Sequence, residues 1–331
     1  MKKIFKKSSI LFALVATSLL FFSCARTPDD SKKNGSDTTN TDTKKDDTNN
    51  DPADNTNGDK TDDPVTITVG TLTITTLKAY EKTVTKDETA KTITFEPAEE
   101  KVEYTLSGSF EGQIINKKKN TVFILSGVSL SNTDAIPAIF GEEKIEIKAE
   151  KETENIITIS GTPADSKAKF GAILCDKAIE IGGPGKLNVT CECEKGHGIK
   201  ASKIELKGSG TYTFDGGSDA SAVNCTKFIV EEEKTFTANF KDSKNGIKAD
   251  ETITIASGSF IFKNITDPKN KGAALKTDTT ADDIKDKKEP KDHFIHLDGG
   301  TFSFIDCGTK YSTEPGEEYF TKSADVVGSF E

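Results

Sequence analysis

One phrase returns four times between Gly171 and Leu275: Ile173-Leu-Cys-Asp-Lys-Ala-Ile-Glu-Ile181, Ile199-Lys-Ala-Ser-Lys-Ile-Glu-Leu206, Val223-Asn-Cys-Thr-Lys-Phe-Ile-Val230 and Ile247-Lys-Ala-Asp-Glu-Thr-Ile-Thr-Ile255. A fifth copy opens at Leu275-Lys-Thr-Asp278, and Ile139-Phe-Gly-Glu-Glu-Lys-Ile-Glu-Ile147 anticipates the series. The leading apolar residues from 173 to 275 are 26, 24, 24 and 28 positions apart. A period near 25 is the mark of stacked structural units, each unable to bury its apolar face alone.

The second half of each unit is a turn, usually with glycine, running into a Thr/aromatic strand: Gly185-Lys-Leu-Asn-Val189, Gly210-Thr-Tyr-Thr-Phe214, Lys234-Thr-Phe-Thr-Ala238, Gly258-Ser-Phe-Ile-Phe262 and Gly300-Thr-Phe-Ser-Phe304. Alternation of period two puts Leu187, Tyr212, Phe236, Phe260 and Phe302 on one face, two positions before Val189, Phe214, Ala238, Phe262 and Phe304. The segments are too short and too β-branched for helices. The leucine-rich-repeat pattern L-x-x-L-x-L-x-x-N, the rival at this period, is absent. The sequence therefore predicts an all-β fold, a parallel β-helix with coils of about 24–28 residues and like-on-like inward ladders.

Working outward, the expected organisation is a signal peptide at 1–23, a polar tether at 24–64, a β-helix at 65–307 and a C-terminal cap or tail at 308–331. Lys2, Lys3, Lys6 and Lys7 precede an apolar run from Ile10 to Phe22 that is too short to span a bilayer. Cys24 follows directly, an arrangement that resembles a bacterial lipoprotein signal and makes Cys24 the expected lipidation site. The tether of Asp, Asn, Thr, Lys and Gly cannot bury enough surface to offset its ordering entropy. The expected location is the bacterial cell envelope, lipid-anchored at the outer or cell surface, with the membrane contacted through the anchor only. Strands near 65–80 are expected to form or cap the first coil, because an open end exposes unpaired backbone.

With 44 basic against 54 acidic residues, the formal net charge of −10 argues against nucleic acid and anionic lipid as partners. His197, His293 and His296 fall in no metal-binding or catalytic motif and read as surface or turn residues. Cys175 and Cys225 share one repeat position with Ala201 between them. Two coils span about 9.6 Å, beyond disulfide reach, so they read as small core residues. Cys191 and Cys193 are read as facing opposite sides of a strand, a poor metal pair. The glycine clusters match no phosphate-binding pattern and read as coil corners. Asp176, Asp250 and Asp278 occupy one repeat position, where Ser202 and Thr226 stand on other coils. Turn-forming Asp is the ordinary reading. The sharper one is a corner ladder of carboxylates taking calcium, a hard ion that wants several oxygens. No acid/base pair stands out, and Arg26 is the only arginine, so the expectation is a protein that is not an enzyme.

Tyr104-Thr-Leu-Ser-Gly-Ser-Phe-Glu-Gly-Gln-Ile-Ile115, the segment 122–132 and the repeats from Gly171 to Asp278 resemble the carbohydrate-binding β-helix family related to polysaccharide lyases. That resemblance implies a right-handed, three-faced β-helix, cellulose-like or pectin-like polymers as ligands, and calcium at corner Asp residues. The family's Asp before Gly-Ile is replaced here by His197, Ser221 and Asn245. There is no Trp to form a stacking platform. The first reading is thus a non-catalytic polysaccharide-binding lipoprotein. The alternative is a surface lipoprotein or adhesin contacting host or envelope proteins, and a polysaccharide lyase comes third. The charged insertion 279–292 is a further candidate contact loop.

Overall fold

The computed structural model describes residues 62–98, 101–164, 170–267, 272–278, 294–313 and 319–330. The expected signal peptide, Cys24, the tether up to residue 61, His293 and the insertion 279–292 lie outside the described residues.

The repeat phrase folds as read. Ile139, Ile173, Ile199, Val223, Ile247 and Leu275 pair in register, one above the next, in parallel strands. Three parallel ladders result. Face A holds Thr92–Phe95, Gln113–Asn116, Ile139–Gly141, the first halves of the long strands Gly171–Gly182, His197–Leu206, Ser221–Val230 and Asn245–Ile255, then Leu275–Thr277 and Tyr311–Thr313. Face B takes the second halves of those long strands, preceded by Ile145–Ala149 and followed by Ile295–Leu297 and Phe320–Lys322. Face C runs through Glu154–Ile159, Lys186–Cys191, Thr211–Asp215, Thr237–Lys241, Ser259–Lys263 and Thr301–Ile305. The chain visits A, B and C in turn, so this is a parallel β-helix.

The ladders do not stop at 307. Tyr311–Thr313 and Phe320–Lys322 add rungs to faces A and B, and Val327 bridges Thr301 on face C. The segment expected as a cap or tail is therefore a last coil, closed by Phe330 against Phe302, Phe304 and Phe320 at 5.4, 5.1 and 5.6 Å. At the other end, the hairpin Pro64–Val69/Leu72–Leu77 lays Leu72–Leu77 antiparallel on the first coil, and Val84–Asp87 does the same beside Thr92–Phe95. Antiparallel guards of this kind occupy donors and acceptors that an open coil would leave to a neighbouring chain.

Inside, the aromatic ladder of face C differs from the sequence reading in one coil. Ala238, not Phe236, shares a rung with Tyr212 and Phe260, and Phe240 takes the rung of Phe214 and Phe262. The strand starts at Thr237, two residues later than its Lys234 turn suggests. A slip of two preserves the in/out parity, so nothing polar is forced inward. Phe236 is still fully buried, filling the space beside the small Ala238 and touching Tyr212 and Phe260 at 5.7 Å each. Phe240, Phe262 and Phe304 stack at 4.9 and 5.4 Å with near-parallel rings. The turns entering face C use glycine for a reason. Gly183 sits at φ +92° with a would-be Cβ 2.2 Å from the Ala149 carbonyl, a position no other residue fits.

Buried amides tie successive coils together. Asn155 accepts from the backbone N–H of Gly127 and Val128 at 2.9 and 3.0 Å and donates to the Lys186 carbonyl at 3.0 Å. Asn155→Ala strands the buried N–H of Val128, leaves that of the exposed Gly127 to water, and is expected to cost about 1–3 kcal/mol. Urea denaturation of the variant against wild type measures it.

Candidate functional site

The repeat that builds the core also fixes what points outward from face A. One position after each inward Ile or Val stands an outward residue, and these pair in one column: Ile115, Phe140, Leu174, Lys200, Asn224, Lys248, Lys276. Three adjacent apolar side chains, each partly exposed, run into a Lys–Asn–Lys–Lys series. Ile136, 42% exposed, lies in the corner leading into the Phe140 strand. Phe140 thus supplies, without Trp, the flat apolar surface that composition alone left unassigned. The signal was present: aligning Ile139-Phe140 with Ile173-Leu174 places the ring outward.

Beside this column, at the corner between faces A and B, coil lengths vary. On the coil of Gly171–Gly182 two residues, Asp176 and Lys177, turn the corner, whereas Ser202 alone turns it on the next. Thr226 alone turns it on the third, and the fourth again uses two, Asp250 and Glu251. The bulged corners stand out as walls and the single-residue corners form a floor between them. The resulting notch, about 200 Å³, is lined by Asp176, Ser202, Thr226 and Asp250, with Leu174, Lys200 and Asn224 on its face A side. Ser202 Oγ donates to the Asp176 carbonyl at 2.8 Å. Asn224 is only 9% exposed, and among the described residues its side chain has no hydrogen-bond partner. Cys175 and Cys225, at one register position with Ala201 between, are buried and free. Burial pushes the Cys175 thiol up to about 11.

The three Asp proposed as calcium ligands share this corner but do not converge. Asp176 and Asp250 are three coils apart, about 14 Å along the axis. Asp278 neighbours Asp250 across one rung, yet it is gripped by Lys248 at 2.5 Å and Lys276 at 3.1 Å. Burial raises the Asp278 pKa, but the Lys248 hydrogen bond and both ammonium charges outweigh it and hold the carboxyl below its ordinary value. Among the described residues no three His, Cys, Asp or Glu are grouped to hold a metal. These residues do not fit a calcium ion.

Other predicted residues are accounted for by structure. His197 opens a strand, and its Nδ1 accepts from the Ser221 N–H at 3.1 Å. His296 pairs with Asp298 at 2.7 Å. Cys191 and Cys193 do not face opposite sides: residues two apart along extended chain share a side, and both are buried, Cys193 in the corner just past the strand end.

Two other surfaces compete with face A. Outward residues of face B form a lattice in which Glu146 meets Lys101 at 2.8 Å and Lys148 at 3.5 Å, while Glu205 meets Lys203 and Lys207, each at 2.9 Å. Those charges already satisfy one another. A recess of about 530 Å³ opens where the corner 242–244 is shorter than the corner 216–220 before it. Its acids include Asp219 and Asp267, which Lys244 draws together at 3.0 and 3.5 Å. It offers carboxylates and hydroxyls but no apolar platform.

Residues 87–220 match the family model described as carbohydrate-binding domain-containing protein. The matched stretch holds the apolar column, Asp176, Lys200 and Ser202, and ends before Asn224 and Asp250. Among solved structures, a polysaccharide lyase-like protein from C. thermocellum, as a gadolinium derivative, is 18% identical over 73% of this chain and 93% of its own, with a TM-score of 0.46. That likeness is too loose to carry a functional argument. No curated protein matches.

The depressed Asp278 pKa sets a sign for pH dependence. A carboxylate held below its unfolded pKa of about 3.9 stabilises the fold above that pH and loses the contribution as pH falls through the folded value. Asp278→Asn is expected to cost about 0.5–1 kcal/mol at pH 7. In paired urea titrations the difference from wild type should shrink as pH falls below about 4.

Proposed function

We propose that this protein binds polysaccharide without cleaving it, with the polymer lying along face A. The observation that carries the reading is the outward column Ile115–Phe140–Leu174 continuing into Lys200, Asn224, Lys248 and Lys276. Sugar rings present an apolar C–H face and a hydroxyl rim. An aromatic flanked by aliphatics suits the first, and ammonium and amide donors suit the second. A straight column with one residue per rung suits an extended polymer better than a compact ligand. The description of the family matched over 87–220 agrees with this reading.

Binding without cleavage is supported by the acids of the notch. The Asp176 and Asp250 corners are about 14 Å apart along the axis, whereas glycosidase carboxylates act at about 5–9.5 Å. Lys248, the column lysine nearest an acid, is ion-paired to Asp278 rather than poised as a base. In this reading Cys24 carries a lipid and the tether holds the β-helix clear of an envelope surface, while calcium has no part. The polymer is cellulose-like or pectin-like. The acidic net charge favours the former, and the lysine column would be the contact for the latter.

Phe140→Ala tests it. Retention on a panel of insoluble polysaccharides should fall about tenfold, in line with roughly 1.5–3 kcal/mol for burying one such side chain, while the melting temperature stays within a few degrees. Failure of the wild type to be retained on any polymer, or full retention by the variant, overturns the reading.

A further inference from the structure

The notch at the A/B corner has a property that the column beside it lacks: it is closed along the coil axis. The bulged corners at Asp176 and Asp250 wall it at both ends, and Ser202 and Thr226 floor it. A polymer running along face A passes its open side and cannot continue through it. What enters must come in end-on.

Its size sets the next limit. About 200 Å³ lies below the roughly 300 Å³ at which pockets for drug-sized molecules begin. Three coil steps between the walls, about 14 Å less the wall side chains, leave room for one ring and not for two.

Its chemistry sets the third. Carboxylates at both walls accept hydrogen bonds, the floor hydroxyls both give and accept, and Lys200 donates from the face A side. Asn224 adds an amide that is 9% exposed, lines the notch and has no partner among the described residues. Its polar atoms meet solvent at the notch surface, where they can donate to and accept from what enters. A carboxylate at each end of the notch disfavours a uronate and favours a ligand rich in neutral hydroxyls.

Resting on the polymer-binding reading, we propose that the notch is a subsite for a single neutral pyranose, held end-on as a side branch of the polymer on face A. The subsite makes the protein selective for branched over unbranched chains, and it sets the polymer's register by seating one branch at one place along the column.

Affinity electrophoresis through gels containing matched soluble polymers tests this. The pairs are galactomannan and its enzymatically debranched form, xyloglucan and hydroxyethylcellulose, and arabinoxylan and debranched xylan. Wild type should be retarded about tenfold more strongly by the branched member of at least one pair. Ser202→Phe and Thr226→Phe fill the notch from exposed or partly exposed positions and should abolish that preference while leaving retardation by the unbranched member intact. Asn224→Ala should weaken the preference in the same direction, with melting temperatures confirming that all three variants are folded. Equal retardation by both members of every pair, or a preference that survives in the filled variants, overturns the subsite and leaves polymer binding on face A standing. Wild type unretarded by every polymer overturns the polymer-binding reading and the subsite together.

Discussion

In the parallel ladders the backbone hydrogen bonds run from coil to coil, so a strand residue's partner lies about one repeat away in sequence. That constraint governs the rest. A strand in a parallel ladder is satisfied only if the next coil presents strand at the same height, and the inward residue on one rung must pack on its counterpart above. Ile on Ile along faces A and B, and Phe on Phe along face C, are the packing consequence. The open ends are where the constraint cannot be met from within. There the chain folds back, by antiparallel strands at the start and by Phe330 over the aromatic stack at the finish.

A ladder that repeats inward also repeats outward, and this is how a structural rule becomes a surface with function. Each outward residue of face A is fixed one rung from the next, so an apolar trio and a lysine series become straight rows without any residue being placed by a loop. Departures from the repeat create shape. Corners that gain a residue at Asp176–Lys177 and Asp250–Glu251 leave a gap over Ser202 and Thr226, and the short corner 242–244 leaves the larger acidic recess. Strand positions give the rows and corner lengths give the cavities.

Much of this is legible in the amino-acid sequence. The period near 25, the pairing of Ile173 with Ile199, Val223, Ile247 and Leu275, and the burial of Cys175 and Cys225 on one ladder all followed from alternation and spacing. The errors came where spacing was silent. Phe236 was placed on the wrong rung because the turn at Lys234 lacks glycine, and a two-residue slip keeps the parity on which the reading relied. Cys193 was set apart from Cys191 although extended chain puts both on one side. The corner Asp residues share one repeat position, and the spacing already sets the coils of Ser202 and Thr226 between Asp176 and Asp250; what it could not show is that Lys248 and Lys276 hold Asp278. Phe140 was visible as a letter, but its outward aim mattered only once Ile115 and Leu174 stood on either side of it.

The coil, its period and the residues lining its interior are written in the amino-acid order, because they depend on a local alternation repeated at fixed intervals. Where the ladders end, which outward residues become neighbours and where a notch opens are set by the folded arrangement. Those depend on how many residues each corner spends between rungs, and corners carry no periodic signal. A single extra residue at position 177 or 251 changes nothing in the apolar pattern, yet it raises a wall where the neighbouring coil has a floor.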